Sequence, residues 1–101
     1  MGNRLELQNK LEELLGSKNV YYQPPESLKM EYPAIIYSKS RVETTKADNS
    51  TYLKNIRYDI TVLDKRPDNP VIDKLMDLPY CSYDRTYKSD GLNHDVLSLY
   101  Y

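Results

Sequence analysis

The sequence predicts an α+β domain: two helices packed on one face of a mainly antiparallel sheet of four to five strands, in the order α-β-β-β-α-β-β. Three observations carry this reading. A leucine run at helical spacing opens the chain, a strand of clean apolar–polar alternation lies at its centre, and a capped second helix separates two hairpin-like segments.

Each element has a local cause. Leu7, Leu11, Leu14 and Leu15 recur at helical spacing, with Leu5 one turn earlier on a flank, while Glu6, Lys10, Glu12 and Glu13 take the other faces. Asn3 is placed to cap this helix, with Glu6 three residues on, and Gly16 to stop it, so the helix is expected over Arg4–Leu15. Val20-Tyr21-Tyr22 is β-prone and cut short by Pro24-Pro25, which suits a short edge strand or extended chain. A strand is expected from Ala34 to Arg41, with Ile35, Tyr37, Lys39 and Arg41 on one face.

The segment Val42 to Tyr52 is polar and contains the turn formers Asn49 and Ser50. It reads as a connection longer than the roughly two to five residues usual in hairpins. Long loops in small domains are often working parts; a solvated hairpin tip is the plain alternative. From Asn55 to Leu63, Ile56, Tyr58, Ile60 and Val62 alternate with Arg57, Asp59 and Thr61, giving a sheet face for helices and a polar face left open to water or to another subunit. Asn69 is placed to cap the second helix and Pro70 to occupy its first position, with Val71, Ile72, Leu75 and Met76 as its apolar stripe and Pro79 beyond its end. Two more strands follow. In the first, Cys81, Tyr83, Arg85 and Tyr87 oppose Ser82, Asp84 and Thr86; after a turn at Ser89-Asp90-Gly91, the last strand sets Leu97, Leu99 and Tyr101 against Val96, Ser98 and Tyr100.

Composition narrows the functional classes. The 101 residues make one domain, 1–101, with no repeat or linker. A net charge of −1 gives no bulk attraction to nucleic acid or anionic membrane. Mean hydropathy is −0.74, and no apolar run approaches the roughly 20 residues of a membrane span. The segment Met1-Gly2-Asn3-Arg4-Leu5-Glu6 lacks the apolar stretch of a signal peptide. A single cysteine, Cys81, excludes an internal disulfide. The aromatic set is unusual: eleven Tyr, no Phe and no Trp, so every large ring carries a hydroxyl that needs water or a partner.

The chemistry-bearing residues are few. Cys81 and His94 flank the last hairpin and form the one possible Cys–His dyad, although Cys81 also reads as a small apolar residue and His94 as a locally bonded one. Asp59, Asp84 and Asp95 could hold Mg²⁺ if they converged, as in a small metal-dependent nuclease, but Arg57, Arg85 and Lys88 offer them salt bridges instead. No Gly-rich phosphate loop is possible with only Gly2, Gly16 and Gly91. Strand tyrosines suggest base stacking in an RNA-binding or regulatory module, yet neither central strand carries the basic–glycine–aromatic pattern of sheet-type RNA binders. These residues point away from an enzyme and from a cofactor, and toward a protein-interaction module.

A set of segments then resembles one family. The Leu-rich first helix, Val20-Tyr21-Tyr22-Gln23-Pro24-Pro25, Tyr32-Pro33-Ala34-Ile35-Ile36-Tyr37, Tyr58-Asp59-Ile60-Thr61-Val62-Leu63-Asp64, Leu78-Pro79-Tyr80-Cys81 and Asn93-His94-Asp95-Val96-Leu97-Ser98-Leu99-Tyr100-Tyr101 together resemble the small tail terminator (tail completion) proteins of long-tailed bacteriophages. The resemblance implies a structural virion protein, made in the host cytoplasm and forming a homo-oligomeric, commonly hexameric ring. Such a ring caps the head-proximal end of the tail tube, stops tube polymerisation and meets a head-completion or connector protein. DNA would only pass through its channel, with no membrane partner. Another head–tail connector or neck protein is the structural alternative. Within this reading Arg41, Glu43, Lys46, Asp48 and Tyr52 are the contact candidates, chosen for the length and polarity of their segment.

Overall fold

A computed structural model describes residues 4–24, 29, 31–46, 52–67 and 69–101, with the side chains of 43–46 and 52–55 outside the description. The element order is the expected one: α1 (Arg4–Leu15), β1 (Val20–Tyr22), β2 (Ala34–Lys46), β3 (Tyr52–Asp64), α2 (Val71–Met76), β4 (Cys81–Ser89) and β5 (Leu92–Tyr100). The five strands form one sheet in the order β1-β2-β3-β5-β4. Every pairing is antiparallel except β1 with β2. None of the described helices is long and apolar enough to cross a membrane.

α1 ends where the sequence places its stop. Gly16 adopts φ +81°, and its N–H donates to the Glu12 carbonyl at 2.9 Å. Its proposed cap, Asn3, lies outside the described residues. Leu7 and Leu11 turn onto the sheet and are fully buried, while Leu5, on the flank, is 63% exposed. They meet Val20, Ile35, Tyr37, Tyr58, Ile60, Val62, Val71, Leu75, Leu97 and Leu99 in a single core between helices and sheet. The Tyr37 hydroxyl donates to Gln8 Oε1, and Gln8 Nε2 in turn donates to the Val20 carbonyl at 3.0 Å, which ties α1 to β1 and β2. Tyr37 also packs between Tyr22 and Tyr58, with ring centroids 4.9 and 6.0 Å away.

Burial pushes the Tyr37 and Tyr58 phenols above their ordinary value of 10.0. Below about pH 10 both are neutral whether the chain is folded or not, and the stability they confer is fully present. As pH rises further, the unfolded chain ionises first and the fold loses stability until the folded phenols titrate. Thermal melts should therefore fall steeply above pH 10, and less steeply in Tyr58→Phe; equal slopes would contradict this assignment.

α2 begins as the sequence suggests. The Asn69 side-chain oxygen accepts from the Val71 N–H at 2.9 Å, while Pro70 takes the adjoining helical conformation. The chain reaches this point through Asp64, which is 5% exposed. Its Oδ1 accepts the Arg66 N–H at 3.1 Å and its Oδ2 accepts Asn69 Nδ2 at 2.7 Å. One carboxylate thus folds the β3–α2 turn and holds the cap residue. Asp64→Ala should cost about 1–3 kcal/mol by leaving these donors unpaired. Urea denaturation would register that loss as a lower midpoint, and an unchanged midpoint would remove Asp64 from this role.

Two features differ from the sequence reading. The segment expected as a long loop from Val42 to Tyr52 is mostly strand: Val42 pairs with Ile56, Glu43 with Asn55, Thr44 with Lys54, Thr45 with Leu53 and Lys46 with Tyr52. Val42, Thr44, Thr45 and Tyr52 are good strand formers, and only residues 47–51 remain to join the strands, an ordinary hairpin length. Second, the strict alternation expected in β2 and β4 is broken by register shifts between Lys39 and Arg41 and between Tyr83 and Arg85. A bulge adds one residue and flips every side chain beyond it. Arg41 accordingly leaves the face of Ile35 and Tyr37, and Arg85 and Tyr87 leave that of Cys81 and Tyr83.

Candidate functional site

The longest strands in the molecule outrun their neighbours. β5 pairs with β3 only over Arg57–Asp64, and β1 pairs with β2 only over Ile35–Tyr37. Beyond Arg41 and Arg57 the hairpin is a two-stranded arm of five residue pairs, about 17 Å long at the rise of an extended strand. It helps to give the molecule extents of 52 × 28 × 23 Å and a radius of gyration of 14.7 Å, above the roughly 13 Å of a compact domain this size. A two-stranded ribbon is at best marginally stable in water by itself. Such an arm becomes well ordered when another surface packs against it.

The sequence candidates fall on or around this arm. Arg41 stands at its base, exposed, opposite Arg57. Glu43, Lys46 and Tyr52 occupy strand positions in it, and Lys46 pairs with Tyr52 as its last described pair. Asp48 lies outside the described residues.

The sheet face away from the helices is organised in rows set by strand register. Across it run Ala34, Leu63, His94 and Tyr87; then Ile36, Thr61, Val96 and Arg85; then Ser38, Asp59, Ser98 and Ser82; then Arg41, Arg57 and Tyr100. As expected from β3, Arg57, Asp59 and Thr61 sit here. Arg57 Nη2 donates to Ser98 Oγ at 2.9 Å. Its Nε is buried without a hydrogen-bond partner, 3.8 Å from Asp59 Oδ1. Tyr87 stacks on His94 with centroids 4.6 Å apart, and Arg85 lies over the other partner of that stack, 5.7 Å from the Tyr87 centroid. The tyrosines thus divide: Tyr37 and Tyr58 serve the core, whereas Tyr87 and Tyr100 lie on the open face.

The residues weighed for catalysis do not converge. Cys81 is paired with Leu99 on the helix-covered side of the sheet, and His94 with Tyr87 on the open side. Five steps along β5, from His94 to Leu99, separate the two positions, roughly 17 Å of strand. Burial also raises the Cys81 thiol above its usual value, away from the thiolate a nucleophile needs. Asp59 is on the open face beside Arg57, and Asp84 pairs with Arg85 at 2.8 Å. Asp95 lies in the row of Val62 on the helix side, where it accepts the Tyr83 hydroxyl at 2.6 Å. That bond holds the Tyr83 phenol in its protonated form and raises its pKa. Among the described residues no group of three His, Cys, Asp or Glu side chains is placed to hold a metal.

A cavity of about 200 Å³ opens between α2 and the last hairpin, lined by Asn69, Ile72, Asp73, Tyr83 and Asp95. It is smaller than the roughly 300–1,000 Å³ of small-molecule sites. Its wall is polar and carries no thiol or imidazole.

β4 forms the far edge of the sheet, a position that its hairpin-like sequence does not reveal. Eight of its nine residues, Ser82 to Ser89, are exposed. Just before it, Tyr80 is 79% exposed and held at φ +64°, a conformation costly for an aromatic residue. No local pattern marks an edge, because edge status follows from long-range pairing.

No family model matches the chain, and no curated protein is significantly similar to it in sequence.

Proposed function

We propose that this chain is a tail terminator: a non-enzymatic virion protein that assembles as a ring, six copies being the expected number, on the head-proximal end of a phage tail tube. The observation that carries the reading is the two-stranded arm, which extends past the rest of the sheet; beyond the bond from the Tyr101 N–H to the Ile56 carbonyl it has no strand neighbour on either side among the described residues. An arm of this kind gains its stability from a neighbouring copy or from the tube. The segment resemblance set out above supplies the particular station.

The physics of termination is simple. A growing tube end presents interaction surface that the next ring would satisfy. A ring that binds this surface without displaying it again ends growth. The open sheet face, with its rows of Ser, Thr, Arg and Tyr, suits a wet contact with a neighbour, since tyrosine and arginine are enriched at interfaces. The tube protein on one side and a head-completion protein on the other are the partners of this reading. DNA crosses the channel without being held.

Native mass measurement tests it. Alone or mixed with tube protein, the chain should be found as a closed multiple of its 11.9 kDa protomer. A monomer under both conditions would refute the ring.

A further inference from the structure

The ring reading leaves open how one copy grips the next, and the two edges of the sheet answer it. We infer that the ring closes edge to edge: the outer edge of β4 in one copy pairs with the outer edge of the β2 arm in the next, so that one sheet continues from protomer to protomer. This rests on the ring reading above and goes beyond it by naming the interface.

The first ground is length. β1 covers the outer edge of β2 at Ile35–Tyr37 and no further. From Ser38 to Lys46, nine residues of β2 have no strand on that side among the described residues. β4, at the opposite edge, is also nine residues long and, among the described residues, has only β5 paired beside it. The vacant lane beyond β1 therefore has the length of the strand proposed to fill it.

Direction is the second ground. Each step from β2 to β3, β3 to β5 and β5 to β4 is antiparallel, so β2 and β4 run in opposite directions. Rotation about an axis along the strands preserves those directions from copy to copy. β4 then meets its neighbour's β2 antiparallel, in the better-aligned hydrogen-bond ladder. The two edges lie on opposite sides of each protomer, so the contact is heterologous and repeats around a ring.

Both strands carry charged side chains and one register shift, devices that limit promiscuous edge pairing, yet each leaves a long edge free of proline. A long edge that is neither covered nor blocked by proline is a template for another strand. On β2 the Gln23 side chain takes up the first of the vacant amides, with Oε1 accepting the Lys39 N–H at 3.3 Å. The side chains of β4 are mostly polar and exposed, so main-chain hydrogen bonds would carry the pairing.

Cysteine pairing tests this directly. In a Cys81→Ser background, Thr86→Cys is combined in turn with cysteine at each position from Arg41 to Lys46, and assembled protein is oxidised while its native mass is measured. The expected result is a ladder of covalent multimers whose yield alternates along β2, because only every second position shares a face with residue 86. Intact rings without crosslinks at any of the six positions would overturn the edge pairing and leave the ring standing. A covalent dimer from Thr86→Cys alone would also overturn the edge pairing, since it would mark β4 pairing with another β4 in a two-fold contact. Monomers by mass would overturn both.

Discussion

Replacing residues 44–54 with Asn-Gly, so that Glu43 and Asn55 become the last pair of the β2–β3 hairpin, should leave the body folded and remove assembly. The register pairs Glu43 with Asn55, so a two-residue turn closes the shortened hairpin in a favoured geometry. The described core runs through Ile35, Tyr37, Tyr58, Ile60 and Val62, all outside the excised stretch. Thermal stability should therefore stay within about 1 kcal/mol of the parent, because loop shortening itself changes closure entropy little. Assembly should weaken by more than about tenfold, roughly 1.4 kcal/mol or more. Native mass measured across a concentration series separates the two effects. A shortened chain that assembles as well as the parent would show that the arm contributes nothing to the interface.

Leu11→Ala should produce a large loss of stability. Leu11 is fully buried, and α1 is held to the sheet by this packing and by the Gln8 bonds to Val20 and Tyr37. Truncating a buried leucine to alanine costs about 2–5 kcal/mol, part of it for the cavity left behind. Small domains have only about 5–15 kcal/mol in total. The melting temperature should drop by more than about 10 °C. Leu5→Ala on the same helix should change stability by less than about 0.5 kcal/mol, because Leu5 is 63% exposed. Equal losses at the two positions would contradict the orientation of α1.

The contrast between these experiments mirrors what was legible in the sequence. Wherever a face is buried, burial imposes a period. Leu7 and Leu11 announce α1, and Ile56, Tyr58, Ile60 and Val62 announce β3 and its helix-facing side. Caps and stops add the ends: Gly16 at positive φ closes α1, Asn69 bonds the Val71 N–H, and Asp90-Gly91 makes the β4–β5 turn with both residues at positive φ. Outside that core the same rules lose their grip. Val42 to Lys46 lies beyond the stretch where β1 and β5 flank the hairpin, and its polar sequence suggests a loop although its β-branched residues favour a strand.

The bulges were hidden for a different reason. A single extra residue between Lys39 and Arg41, or between Tyr83 and Arg85, leaves composition unchanged yet reverses the facing of all that follows. Cys81 and His94, which flank one turn in sequence, consequently lie on opposite faces of the sheet. The contact candidates rest on the length and polarity of their segment; Arg41, Glu43, Lys46 and Tyr52 lie in or at the base of a paired hairpin rather than a loop. The open edge of β4 was beyond reach, since which strand ends a sheet depends on pairings between distant residues.

The central claim is that this chain ends tube growth, and tube length is the quantity that reports on it most directly. Electron microscopy of tails assembled without the chain, and again after it is restored, would give two length distributions. The account predicts overlong tubes of broadly varying length in its absence and a single defined length on restoration. Tubes of normal, uniform length without the chain would contradict it.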